Sequence, residues 1–164
     1  AASQGNIQAA YIDTGVAADT SSWVGSVYIR KDAVTTRWPD VAITLNSGVA
    51  GYVNLNTATG AIADGPFGAP TASGIVDVDS LWWRLWIRIV NNGAGTDIRM
   101  LCYPDHLDAL GGSGTSSGTG SVVLWGFNAT NTSSVQAYEP QPFYVLGSVG
   151  AEPAKIIIRN RLYA

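Results

Sequence analysis

The segment "SLWWRLWIRIV", residues 80–90, concentrates three tryptophans and two arginines. Successive side chains of a strand point to opposite faces, so the even positions Trp82, Arg84, Trp86 and Arg88 share one face, with neighbours about 7 Å apart. Indole rings stack on the apolar C–H faces of sugars, and planar guanidinium groups pair with anions and hydrogen-bond to oxygens. This face is therefore a candidate glycan-binding surface.

A second interpretation of the same face needs no ligand. Arginine stacks on indole, so these side chains can cover the outer sheet by themselves or against a neighbouring subunit. The odd positions form an apolar row that predicts a core face, and they are Leu81, Trp83, Leu85, Ile87 and Ile89. Both interpretations of the even face remain open from the residues alone.

Two other segments add candidates to this surface. In "GSVYIRK", Tyr28 and Arg30 alternate as the tryptophans and arginines do, and they extend the surface if the two strands share a sheet. Trp38 lies in "TTRWPD", where Pro39 predicts a loop, and it is either a binding residue or a plug over the end of the core. The candidate carbohydrate-binding residues are Tyr28, Arg30, Trp38, Trp82, Arg84, Trp86 and Arg88.

Catalytic chemistry has weak support. His106 is the single histidine, and with Tyr103 and Asp105 it can form a proton-transfer group, although a loop histidine beside an aspartate is usually solvated. A Ser-His-Asp triad needs the same histidine, and the chain has no nucleophile elbow. We therefore predict no catalytic residue and a protein that is not an enzyme.

Metal and cofactor sites are not expected either. Asp77 and Asp79 in "DVD" lie on one strand face, but their spacing matches no known calcium loop, and solvated strand ends explain them better. One cysteine and one histidine are too few for a zinc site. Cys102 has no partner for an intrachain disulfide and is expected to be a small buried apolar residue.

The elements that position these residues are strands. Period-2 alternation recurs with Gly, Asn and Ser between the segments, which predicts an all-β fold of two antiparallel sheets in a sandwich. "GSVVLWGF" is a continuous apolar run, expected for a strand buried on both faces. We expect no helix beyond a single turn at "DHLDAL". The remaining strands are predicted in "SWVGSVYIRK", "DVAITLNSG", "GYVNLNTATG", "SGIVDVDS", "TDIRMLCYP", "PFYVLG" and "KIIIRNRLY".

The whole chain of 164 residues is expected to form one domain, 1–164. Its net charge of −3 argues against nucleic-acid binding, which normally uses a basic surplus. No apolar run approaches the roughly 20 residues of a membrane helix. The N-terminal "AASQGNIQAA" lacks the basic and hydrophobic regions of a signal peptide.

Five segments, in order, resemble landmarks of the jelly-roll, concanavalin-like domains of phage tail-fibre and virion surface proteins. They are "SSWVGSVYIRKD", "VNLNTATGAI", "DSLWWRLWIRI", "GTGSVVLWGFNAT" and "SVQAYEPQP". In this family Trp83 takes the buried aromatic position and Trp82 the neighbouring one. The chain departs from the family pattern in three places. The usual opening strand pair is shortened or absent, Asn128 and Ala129 replace an acid, and the tail 143–164 has no counterpart.

The resemblance implies a two-sheet jelly-roll β-sandwich with a binding or structural role at the virion surface. Expected partners are sister subunits in a homotrimer, capsid or tail proteins, and a host-surface glycan. The tail 143–164 is expected to supply an extra strand pair or a subunit contact. The alternatives are a capsid decoration protein that binds no sugar, a carbohydrate-binding module of a secreted polysaccharide-degrading enzyme, and a polysaccharide lyase or glycosidase of the same sandwich class.

Overall fold

The structure, a computed structural model, describes residues 9–33, 38–46, 48–104, 108–112, 121–132, 144–146 and 155–158. Within these ranges the chain is all-β, with turns but no helix, which confirms the predicted all-β class. The strands are β1 (Ala9–Gly15), β2 (Ser22–Arg30), β3 (Asp40–Leu45), β4 (Gly48–Leu55), β5 (Ile62–Asp64), β6 (Ala72–Asp77), β7 (Trp82–Val90), β8 (Asp97–Tyr103), β9 (Ser121–Asn131), β10 (Tyr144–Leu146) and β11 (Lys155–Ile158).

The strands form two sheets that pack face to face. One sheet has six strands in the order β10-β1-β8-β3-β4-β5, and the other has five in the order β11-β9-β2-β7-β6. Neighbouring strands are antiparallel, except that β11 runs parallel to β9. The strands predicted in the tail thus add one strand to an edge of each sheet, β10 beside β1 and β11 beside β9.

The core lies between the sheets and follows the predicted alternation. From the five-stranded sheet it takes Val27, Ile29, Leu85, Ile87, Ile89, Val122, Leu124 and Phe127, and from the six-stranded sheet Val41, Ile43, Val53, Leu55, Ile98, Met100 and Cys102. The sheets approach closely at Gly25, where an added Cβ would stand 2.9 Å from the Met100 sulfur. A larger residue there would overpack this contact.

The outer side of the six-stranded sheet is covered by the chain itself around β4. Tyr52 hydrogen-bonds through its backbone to Gly65 and Gly68, and the Phe67 ring packs edge-on against the Tyr52 ring. The Asn54 side chain bonds the backbone of the segment 109–111. As a result Tyr52 and Asn54 are buried although they point away from the core between the sheets.

Several sequence expectations differ from the structure. Two strands were absent from the predicted set: β1, which pairs with β8 over six residues, and the three-residue β5. Leu81 was placed in the core face, but its side chain is 52% exposed. The reason is that the sandwich ends at Trp83, which packs under Gly60. Leu81 precedes β7 and has no opposing layer to cover it.

Candidate functional site

The site is the outer face of the five-stranded sheet, meaning the side that points away from the core. Strands β2 and β7 are antiparallel neighbours, with Tyr28 opposite Arg84 and Arg30 opposite Trp82. The structure therefore brings together six of the seven candidate residues on one face: Tyr28, Arg30, Trp82, Arg84, Trp86 and Arg88. Trp38 lies elsewhere, before β3 of the other sheet.

Aromatic rings form a cluster at one end of the outer face. The Tyr28 and Trp125 rings are stacked with centroids 4.1 Å apart and an interplanar angle of 17°. Trp82 meets Trp125 edge to face, with centroids 6.0 Å apart. Such offset and edge-on pairs add stability beyond the area they bury. The three rings are only partly buried, so their remaining surface faces solvent.

Arg84 covers the centre of the outer face. Its guanidinium donates to the Ser26 hydroxyl from Nη2 at 3.0 Å and from Nε at 3.3 Å. Its Cζ lies 5.3 Å from the centroid of the Tyr28 ring, within the range of a cation–π contact. Ser26 is almost fully buried on this outward side, and so is Val24, which lies opposite Arg88. Arg84 thus has the covering role that the second sequence interpretation predicted.

Trp86 has a different environment from the other outward residues. Its indole lies against Gly74 of β6, where an added Cβ would stand 2.6 Å from Cζ2 and 2.8 Å from Nε1. The glycine therefore leaves room for the ring to rest on the edge strand. The ring stays partly exposed, and among the described residues no acceptor bonds its Nε1. Trp86 retains an unused donor beside an apolar ring surface.

Tryptophans that serve the fold use their indole nitrogens within the protein. Trp83 donates from Nε1 to the Thr57 carbonyl oxygen at 2.8 Å, and Trp23 donates to the Ser21 hydroxyl at 3.3 Å. Both also pack against the core. Trp82 resembles Trp86, because within the described ranges its indole nitrogen has no bonded acceptor. This difference separates structural tryptophans from those available to a ligand.

A cleft of about 340 Å³ adjoins the outer face at the end of β2. Its lining includes the cations Arg30 and Lys31, the acid Asp32, Thr57, and Pro39, which follows Trp38 in the chain. Lys31 is held by Asp77 at 2.6 Å and lies 4.0 Å from the Trp83 ring centroid. Trp38 is half-buried beside this cleft-lining proline, in the connecting segment that the sequence predicted.

Trp125 is the residue of this face that the sequence interpretation missed. Between Tyr28 and Ser26 of β2 the register on β9 moves from Trp125 to Asn128, so β9 carries one extra residue. This β-bulge falls at Gly126, whose φ is +67°. It lets Trp125 point outward and Phe127 inward, although both numbers are odd. A glycine inside an apolar strand pattern was the available signal for a bulge.

A buried polar cluster lies on the other sheet. Asp40 is fully buried and accepts a hydrogen bond from the Tyr52 hydroxyl, with Tyr103 close by. Burial, followed by the Asp40 charge, raises the pKa of Tyr52 far above its ordinary value and raises the pKa of Tyr103 as well. Tyr52 and Tyr103 therefore keep their protons at neutral pH, and this cluster lies away from the outer face of the five-stranded sheet. The proposed partners of Tyr103 in proton transfer, Asp105 and His106, lie outside the described residues.

The remaining chemical candidates have structural contacts. Asp77 holds Lys31, and an Asp79 carboxylate oxygen accepts the backbone N–H groups of Leu81 and Trp82 at 2.7 and 2.9 Å. Cys102 is a free, fully buried thiol, as predicted. No cluster of three or more His, Cys, Asp or Glu side chains suited to a metal occurs in the described part of the chain.

Comparisons with protein-family models, curated proteins and solved structures found no match to this chain. A search for membrane spans found, within the described ranges, no helix long and apolar enough to cross a bilayer.

Proposed function

We propose that this chain is a non-enzymatic jelly-roll module of a phage virion surface protein, in a capsid decoration or a tail or head fibre, that helps the particle attach to host-surface glycans. The jelly-roll topology and the virion location follow from the sequence resemblance. The observation that carries glycan binding is the Trp86 indole, which rests on Gly74 with its nitrogen unused among the described residues.

The chemistry of the outer face suits a sugar better than a wholly apolar ligand. Trp82 and Trp86 are four residues apart on one strand, about 13 Å, so the face spans an oligosaccharide rather than one ring. The indole Nε1–H groups of Trp82 and Trp86, which no described residue accepts, place donors beside the aromatic surface. Sugars combine apolar C–H faces with hydroxyls, and this surface offers partners for both.

The first test is a glycan array probed with the wild-type protein and with Trp86→Ala. We expect specific glycan binding that the substitution weakens about tenfold to hundredfold, equivalent to about 1.4–2.8 kcal/mol. Phe67→Ala is the matched control, because Phe67 is an exposed aromatic residue that packs against Tyr52 of the other sheet. Urea unfolding verifies that both variants are folded. Binding unchanged in Trp86→Ala would contradict the role of this ring.

A second variant tests the support beneath the ring. In Gly74→Ala the added methyl group must displace the indole, because its Cβ would stand only 2.6 Å from Cζ2 of Trp86. The ring is a partly exposed side chain and can tilt, so we expect a folded protein with reduced glycan affinity. Affinity equal to wild type in this variant would show that the ring's position on β6 is not used.

A purely structural decoration protein is the second candidate function. Its specific support is the apolar surface at the β6–β7 edge, where Val76, Val78 and Leu81 are all exposed within six residues. Clustered exposed apolar residues mark protein contacts more often than isolated ones do. Co-sedimentation with purified capsids, together with a glycan array that shows no binding, would favour this candidate over the first.

A carbohydrate-binding module of a secreted polysaccharide-degrading enzyme would use the same outer face. The two glycan-binding candidates differ in where the protein resides. Mass spectrometry of purified particles, compared with culture supernatant, separates them, because only a virion protein remains with the particle through density-gradient purification.

A further inference from the structure

The charge of the outer face differs in sign from that of the whole protein. The chain has 12 acidic and 9 basic residues. The described outward positions of β2, β6, β7 and β9 include Arg30, Arg84 and Arg88 but no aspartate or glutamate. A basic patch on an acidic protein attracts an anionic ligand to that patch and not to the remaining surface.

Arg30 is the cation best placed to bind such a ligand. It ends β2 opposite Trp82, is exposed, and lines the cleft beside the outer face. Its neighbour Lys31 is engaged with Asp77 and Trp83. No residue in the described ranges forms a hydrogen bond or an ion pair with the Arg30 side chain. A planar guanidinium with its donors available binds carboxylate, sulfate or phosphate groups in a bidentate manner.

We propose that the outer face and the adjoining cleft bind an acidic polysaccharide, whose sugar rings stack on Trp82 and Trp86 and whose anionic substituent pairs with Arg30. This inference rests on the proposed glycan-binding function and names the class of glycan. Nucleic acid carries anions as well, and competition by an oligonucleotide distinguishes it from an acidic polysaccharide in the test below. The aromatic rings and the nearby cation together favour a charged sugar chain.

The test is affinity electrophoresis in gels containing polygalacturonate, dextran sulfate or neutral dextran, with a single-stranded oligonucleotide as a competing polyanion. We expect retardation by an acidic polymer, little by dextran, and weakening by added salt. Polygalacturonate and dextran sulfate distinguish a carboxylate from a sulfate ligand. Equal retardation by dextran, or displacement by the oligonucleotide at matched charge, would overturn the inference.

Variants of Arg30 locate the anion. Arg30→Gln should weaken the response to the acidic polymer about tenfold and flatten its salt dependence, whereas Arg30→Lys should restore part of both. Arg99→Gln is the matched control, because Arg99 lies on β8 of the other sheet near Asp97. An Arg30→Gln variant that binds as tightly as wild type refutes the inference.

The glycan array separates this inference from the proposed function. Strong binding to neutral glycans alone, lost in Trp86→Ala, would keep the proposed function and overturn the acidic class. Absence of binding to every neutral and acidic glycan would overturn both. Binding confined to acidic glycans, and reduced in both Trp86→Ala and Arg30→Gln, supports the two together.

Discussion

At the level of single residues, the hydrogen bonds of the indole nitrogens distinguish structural tryptophans from those that a ligand can reach. Residue type alone does not make this distinction. Trp83 and Trp86 are three positions apart in the same strand. The Trp83 indole donates to a backbone carbonyl and packs against the core, whereas the Trp86 indole rests on a glycine with its nitrogen unused among the described residues. A buried indole N–H needs an acceptor. Trp83 is therefore part of the fold, and Trp86 is available for a ligand.

The thiol of Cys102 and the hydroxyls of Tyr52 and Tyr103 predict how the free energy of unfolding depends on pH. Burial raises the pKa of Cys102, Tyr52 and Tyr103, so the folded protein retains protons that the unfolded chain loses at about pH 8.5 for cysteine and about pH 10 for tyrosine. Above those values the unfolded state binds fewer protons than the native state, and the free energy of unfolding falls as pH rises. The contribution of these groups is complete below about pH 8.5.

We expect the free energy of unfolding to decline from about pH 8.5, with each group contributing a slope of at most about 1.4 kcal/mol per pH unit. Urea unfolding at about pH 7, 9 and 10 measures this decline. Cys102→Ala should lower stability at every pH, because it leaves a cavity, but should remove the part of the decline between about pH 8.5 and 10. A wild-type protein of constant stability across that interval would contradict the prediction.

At the level of strands, alternation predicted most of the architecture. In β8, for example, the alternation assigned Ile98, Met100 and Cys102 to the core, and all three are fully buried. The rule works because one face of each such strand is closed by the other sheet. It failed at Leu81, which is 52% exposed. For β9, which was predicted to be buried on both faces, the structure shows Val123 and Trp125 only partly buried.

The residues of the outer face were predictable in part, because the same period-2 alternation assigns side chains to one face of each strand. Alternation grouped Tyr28 with Arg30 on β2, and separately grouped the four even residues of β7. Only the structure shows that β2 and β7 are neighbours. Trp125 was hidden because a bulge adds a residue without altering the apolar pattern. The role of Gly74 depends on its contact with a side chain of another strand, which no local pattern reveals.

Substitution of the bulge glycine tests this account of β9. Gly126 has a φ of +67°, where a Cβ costs about 1–2 kcal/mol. We expect Gly126→Ala to lower the free energy of unfolding by about that amount and to weaken the near-ultraviolet circular dichroism of the stacked Tyr28 and Trp125 rings.

The control for this experiment is Gly93→Ala. Gly93 has a φ of +85° but lies in a loop where the nearest atom to an added Cβ is 3.9 Å away. The Gly93→Ala variant should have a lower free energy of unfolding because of the same backbone strain. Its near-ultraviolet signal should equal that of the wild type. If both variants lost the near-ultraviolet signal equally, the stacking of Tyr28 on Trp125 would not depend on the bulge at Gly126.

At the level of the whole molecule, the two sheets have different outer surfaces. The six-stranded sheet is covered by its own loops around Tyr52 and Asn54. The five-stranded sheet presents aromatic and arginine side chains that are only partly buried.

The resemblance to virion proteins predicts a homotrimer. Native mass spectrometry should find three chains of 17.2 kDa in one assembly. Leu81→Lys places a charge at the exposed apolar β6–β7 edge and should weaken the assembly if that edge forms the subunit contact. A monomer at micromolar concentration would contradict the trimer, and a trimer unaffected by Leu81→Lys would place the contact elsewhere.

The placement of the six tryptophans also provides an intrinsic optical probe. Trp82, Trp86 and Trp125 lie on the outer face, whereas Trp23 and Trp83 pack against the core. Occupation of the outer face by a saccharide should therefore change the emission intensity and its accessibility to a soluble quencher without any attached dye. The inner pair would respond chiefly to unfolding, so a single fluorophore type can report both ligand occupancy and the integrity of the sandwich.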